Sequence, residues 1–191
     1  MENNLLYQFD LEKGKEIIGV DEAGRGPLAG SVVAAAVKLK RYSEELQEIN
    51  DSKKLTEKKR EKLFDIIMEN FEVGIGIASV QEIDELNILN ATFLAMRRAI
   101  EELDKKTNTD VLVLVDGNFK IREYIGKQEP IIKGDAKSLS IAAASIIAKV
   151  TRDRQLVEEG KKYPEYHFEK HKGYGCLLYT SDAADEARSV D

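Results

Sequence analysis

Apolar residues in this chain gather into short dense runs, and several of those runs end in an acid. Ile17-Ile18-Gly19-Val20 leads directly into Asp21-Glu22, so residues 16–20 read as a short buried strand. Ser31 to Leu39, rich in Val and Ala, fits a second strand, and Phe71 to Ala78, alternating with glycines, a third. Between them Thr56 can cap a helix to about Asn70, with Leu63, Phe64, Ile67 and Met68 as its apolar stripe and Lys58, Lys59, Arg60 and Lys62 opposite. Ser79-Val80-Gln81-Glu82 has the capping-box spacing, which predicts a helix to about Leu103 with a break near Asn87 and Asn90. Val111 to Val115 is an unbroken apolar run, as expected of a strand buried on both faces. Pro130 to Lys133 reads as a shorter strand. Ser138 to about Gly160 reads as one long helix, bounded by Pro164 and opening with small residues that would let its backbone lie close to a sheet.

Strands alternating with helices predict an α/β layered domain, and acids at strand exits follow the rule that sites form at strand ends. The 191 residues suit one domain with a sizeable core, and 42% apolar with 34% charged content is ordinary for a globular protein. No apolar stretch approaches the roughly 20 residues that span a bilayer. Met1-Glu2-Asn3-Asn4 lacks the basic and apolar regions of a secretion signal, so the expected location is the cytoplasm, without membrane contact. Cys176 is the only cysteine, which excludes an internal disulfide and a thiolate zinc site.

A net charge of −6 argues weakly against a generic nucleic-acid binder, but a local basic face can still steer a polyanion. The last sixteen residues contribute −3 of it through Asp182, Asp185, Glu186 and Asp191 against Arg188. From Cys176 to Asp191 the text has little periodicity and resembles a translated sequencing-library adaptor. The expectation is therefore a domain over 1–175 and a non-native tail over 176–191.

The chemistry centres on four carboxylates. Asp21 and Glu22 precede a glycine turn, Asp116 ends the 111–115 run before Gly117, and Asp135 follows Gly134. Each alone could be a turn or helix-entry residue. Together, arriving from three chain segments, they suit two divalent cations that activate a water and stabilise a leaving oxygen at a phosphodiester. Adjacent strand residues point to opposite faces, so Asp21 and Glu22 share one site only if the strand twists or breaks after Asp21.

Several ordered blocks carry a resemblance. GVDEAGRGPLAG at 19–30, NDSKKL at 50–55, VDGNF at 115–119, KGDAKSLSIAAASIIAKVTRDR at 133–154 and HKGYG at 171–175 together resemble bacterial ribonuclease HII over residues 12–175. The resemblance implies a ribonuclease H-like fold, a mixed central sheet flanked by helices. It implies a monomeric endoribonuclease that cleaves RNA in RNA–DNA hybrids and nicks 5′ of single ribonucleotides in duplex DNA. The products would carry 3′-hydroxyl and 5′-phosphate ends. It assigns Mg²⁺ or Mn²⁺ to Asp21, Glu22, Asp116 and Asp135, the ribose 2′-hydroxyl to Gly24-Arg25-Gly26, and the deoxyribose at the RNA–DNA junction to Tyr174.

Glycines allow backbone groups to approach a 2′-hydroxyl closely, and that group distinguishes RNA from DNA. Arg25 could contact a phosphate or pair with a site acid. Ser52, Lys53 and Lys54, and with them Lys133, Lys137, Lys149 and Arg152, are candidates for gripping phosphates. Asp153 reads as a partner of Arg152 or Arg154, with a fifth site acid as the lesser possibility. His167 and His171, at i and i+4, are too few for a zinc site. Ser31 departs from the family's usual proline, and the family's sequence beyond Lys-Gly-Tyr-Gly has no counterpart here. Ribonuclease HIII, which shares the fold, and a non-cleaving hybrid-binding module are the alternatives.

Overall fold

The computed structural model describes residues 4–49 and 55–174. Five strands form one mixed sheet: β1 (Ile17–Ala23), β2 (Val32–Leu39), β3 (Phe71–Ala78), β4 (Leu112–Asp116) and β5 (Gln128–Ile131), in the spatial order β3-β2-β1-β4-β5. The first three are antiparallel neighbours, whereas β4 runs parallel to both β1 and β5. β1 is therefore the strand where the sheet changes sense, and the C-terminal ends of β1, β4 and β5 open on the same side.

Helices cover both faces. On one lie α2 (Glu57–Asn70) and α5 (Leu139–Lys162), with Leu63, Ile67, Ala143 and Ile147 buried against Ala35, Val37 and Val73. On the other, α4 (Ile88–Asp104) places Ala95, Met96 and Ala99 on Ile18, Val20, Ala34 and Val113. The close approach foreseen for α5 is supplied jointly by helix and strand. A β-carbon on Gly19 would lie 2.2 Å from the Ser140 carbonyl carbon, so α5 rests directly on β1. Alternation then fixes the faces: Gly19 and Asp21 look toward α5, and Val20 and Glu22 toward α4.

Thr56 caps α2 as expected, but its buried stripe is Leu63, Ile66 and Ile67, while Met68 is 43% exposed. Ser79 and Glu82 form the full capping box of α3 (Val80–Leu86), and the break falls at Asn87 (φ 68°), whose side chain caps α4. β5 lies two residues earlier than expected, because Lys133 turns left-handed (φ 55°) and Ile132 faces solvent. Pro130 is tolerated there because β5 is an edge strand with one unpaired side.

Two helices went unforeseen: α1 (Leu5–Lys13) and the single turn α6 (Phe168–His171). Asp10 of α1 accepts 2.8 Å hydrogen bonds from both the amide and the hydroxyl of Ser140, docking α1 on the first turn of α5. Among the described residues no helix is long and apolar enough to cross a membrane.

Candidate active site

β1 does not break after Asp21. It stays paired with β2 through Ala23, but its pairing with β4 stops at Val20–Val115. Asp21 and Asp116 are thus each one residue beyond the last parallel pair, side by side on the α5 face. With no β4 pairing past Val20, that edge of β1 opens, and Glu22 reaches the same cavity from the α4 side. That cavity, about 280 Å³, is lined by Asp21, Glu22 and Asp116 together with Gly24, Arg25, Gly26, Ser145, Lys149, Arg152 and Tyr174. A larger, mainly apolar groove of about 1020 Å³ lies over β3 and the C-terminal half of α5, but it contains none of the four acids.

Asp21 is 5% exposed, and its Oδ1 accepts from the Glu22 amide at 2.7 Å. Burial, then the charges of Glu22 and Asp116, push its carboxyl well above the usual carboxylate range, while a hydrogen bond with Ser145 of α5 opposes the shift. Asp116 is fixed differently: its Oδ1 accepts the Gly134 amide at 2.7 Å, which ties the end of β4 to the turn after β5. Asp135 is buried in a short 3-10 turn, Gly134–Ala136, next to that amide, and is not part of the cavity lining. Lys133 and Lys137 flank this turn and are exposed.

Among the described residues no three His, Cys, Asp or Glu side chains are arranged to hold one ion together. The donor set nonetheless fits hard divalent cations, because Mg²⁺ needs only one or two carboxylates and keeps several waters. Three carboxylates facing one cavity, with Asp21 pushed toward neutrality first by burial and then by Glu22 and Asp116, are the electrostatic condition that a cation relieves.

Gly24 turns the chain after β1 (φ 107°), and a β-carbon there would meet the Ser31 carbonyl at 2.5 Å. Arg25 Nη1 lies 3.8 Å from Glu22 Oε1, one of the carboxylates lining the cavity. Tyr174 is 51% exposed, with its ring edge about 4.0 Å from the β-carbon position of Gly26 and Lys149 Nζ 5.9 Å from its centroid.

Arg152 corrects a sequence expectation. At 1% exposure it cannot grip a phosphate; its guanidinium donates to the carbonyls of Ser31 (3.1 Å), Ala29 (2.8 Å) and Lys172 (3.0 Å). Asp153 pairs with Lys149 at 2.7 Å and lies 3.9 Å from Arg60, while Arg154 pairs with Glu61. His171 Nδ1 accepts from the Gly173 amide and its Nε2 lies 2.6 Å from the Tyr166 carbonyl, so that ring shapes the turn leading to Tyr174. Ser31 donates to Gln155 of α5 at 3.0 Å, a link that proline could not make. Ser145 was not singled out from the sequence, where it is one small residue in an Ala-rich run. Ser52, Lys53 and Lys54, Gly175 and the tail 176–191 lie outside the described residues.

The family model described as ribonuclease HII matches residues 18–186. The ribonuclease HII of Fusobacterium nucleatum subsp. nucleatum is 72% identical over 185 residues, covering 96% of this chain and 86% of that protein. That of Endomicrobium trichonymphae is 56% identical over 175 residues, 89% of this chain and 81% of that protein. The crystal structure of the ribonuclease H2 from Pyrococcus horikoshii OT3 superposes with a TM-score of 0.67 at 30% identity, covering 90% of this chain and 86% of that one. The ribonuclease H-like sheet, the acids at its strand exits and these likenesses lead to one conclusion: the chain belongs to the ribonuclease HII family.

Proposed function

We propose that this metal-dependent endoribonuclease, beyond cleaving the RNA strand of RNA–DNA hybrids, nicks duplex DNA on the 5′ side of a single embedded ribonucleotide. The observation that carries the reading is the juxtaposition, around one cavity, of three carboxylates with a glycine turn and an exposed tyrosine. A nuclease needs the first, and a reader of one sugar needs the other two.

In this reading Asp21, Glu22 and Asp116 hold the catalytic cations, joined by Asp135 from the turn beside Asp116. Mg²⁺ or Mn²⁺ bound there would supply an activated water and stabilise the leaving 3′ oxygen. Ser145 orients Asp21, and the Gly134 amide orients Asp116. The Gly24-Arg25-Gly26 turn offers backbone groups to the 2′-hydroxyl, since no β-carbon obstructs them at its two glycines. Arg25 exchanges Glu22 for a substrate phosphate. Tyr174 packs on the neighbouring deoxyribose, and Lys133, Lys137 and Lys149 meet the backbone of the duplex. A module that only binds would gain nothing from acids beside a phosphate.

The test is a duplex DNA carrying one ribonucleotide, incubated with the protein in Mg²⁺ or Mn²⁺. The expected product is a single nick leaving 3′-hydroxyl and 5′-phosphate ends. No nick in either ion, or a nick that persists in Asp21→Asn, overturns the proposal.

A further inference from the structure

We infer that Arg152 is a positioning residue that locks the Gly24-Arg25-Gly26 turn to Tyr174 and so sets the enzyme's grip on the sugar at the cleavage junction. This rests on the functional reading above for what the turn and the tyrosine touch. The lock itself rests on geometry alone. Arg152 is a large, fully buried side chain whose guanidinium donates to three backbone carbonyls.

Those carbonyls belong to two separate segments. Ala29 and Ser31 lie in the loop between β1 and β2, and Lys172 lies in the turn that ends at Tyr174. The two segments also bond directly: the amides of Leu28 and Ala29 donate to the Gly173 carbonyl at 2.9 and 3.3 Å. The space around the guanidinium is filled. A β-carbon on Gly24 would lie 2.6 Å from Arg152 Nε, and one on Gly173 would lie 2.4 Å from the Ala29 carbonyl.

A fixed planar fork with donors in several directions suits three carbonyls on two segments, whereas an ammonium is one point charge on a flexible stem. Burying a cation without a carboxylate in those three bonds means that the carbonyls carry its solvation. Loss of the fork therefore releases both segments at once. The acids are held elsewhere, by the sheet, Ser145 and Gly134, so metal chemistry and sugar recognition have separate supports.

The experiment compares Arg152→Lys and Gly173→Ala with the parent on the single-ribonucleotide duplex. Gly173→Ala pushes the two segments apart chiefly through the Ala29 carbonyl, 2.4 Å from the added β-carbon, and leaves the arginine in place with its guanidinium 3.2 Å from that carbon. Leu46→Ala, a cavity in the core away from both segments, serves as the control for lost stability alone. The expected result is a KM raised about tenfold or more in both variants, with kcat within about threefold of the parent, and no KM change in the control.

A second readout needs no catalysis. The chain has no tryptophan, so Tyr174→Trp introduces a lone tryptophan at the locked position, excited selectively over the remaining tyrosines. Adding Arg152→Lys should shift its emission to the red and lower its anisotropy while the fold persists by circular dichroism. The lock is overturned if both readouts stay at parental values, or if Arg152→Lys merely tracks Leu46→Ala. Should the parent fail to nick the duplex, the functional reading falls, and the fluorescence result still decides the lock.

Discussion

The amide of Gly134 donates to Oδ1 of Asp116 across 2.7 Å, joining the turn after β5 to the last residue of β4. An asparagine at 116 retains an oxygen for that bond while losing the charge. Asp116→Asn should therefore fold and melt like the parent yet lose activity by more than about a hundredfold, since even residues that only support a metal ligand are worth about 10–100-fold. Nicking rates beside thermal melts check this, and a melting loss that accounts for the rate loss would count against it.

Asp21 gives a pH signature. Its carboxyl is held well above 3.8, first by burial and then by Glu22 and Asp116. The stability that the group contributes is complete below its unfolded value and is lost as pH rises through the raised native one. In chelator, Asp21→Asn should melt above the parent at mildly alkaline pH, with the advantage vanishing toward acid. Adding Mg²⁺ should raise the melting point of the parent increasingly with pH, because the cation takes the ionised form, and should raise that of the variant less.

Gly19→Ala should be among the costliest single-methyl changes in the chain. Its β-carbon would lie 2.2–2.5 Å from backbone atoms of Ser140 and Ile141, which cannot rotate away. Overpacking of this kind costs roughly 3 kcal/mol. Denaturant unfolding measures it, and hydrogen exchange should show the first turns of α5 opening earliest.

Glu82 has its carboxyl lowered to about 2 by Arg98, which binds it through two nitrogens at 2.7 and 2.8 Å, and then by the Ser79 amide. Stability from such a group is present above about 4.5 and is lost as pH falls through about 2. Glu82→Gln should speed amide exchange in α3 at neutral pH, and the difference from the parent should shrink in acid.

The strands and the main helices were legible because a buried strand leaves a dense apolar run and a capped helix leaves its cap. α1 was not, because its pattern is inverted: Leu5 and Leu11 face solvent while Asp10 is buried on Ser140. The acids at the exits of β1 and β4 could be named from the sequence, since acids that end apolar runs are conspicuous. The supports of the site could not. Ser145 resembles its alanine neighbours in text, and Arg152 stands among lysines and arginines that do face solvent. Only the fold separates a cation that meets a ligand from one that holds two loops.

Arg152 grips atoms that every residue possesses. Ala29, Ser31 and Lys172 are held by their carbonyls, so their side chains are free to drift without loosening the junction. The loops around the cavity can thus change composition while one arginine keeps their shape. Tolerance to mutation should end abruptly at Gly24 and Gly173, where the shape leaves no room for a single added carbon.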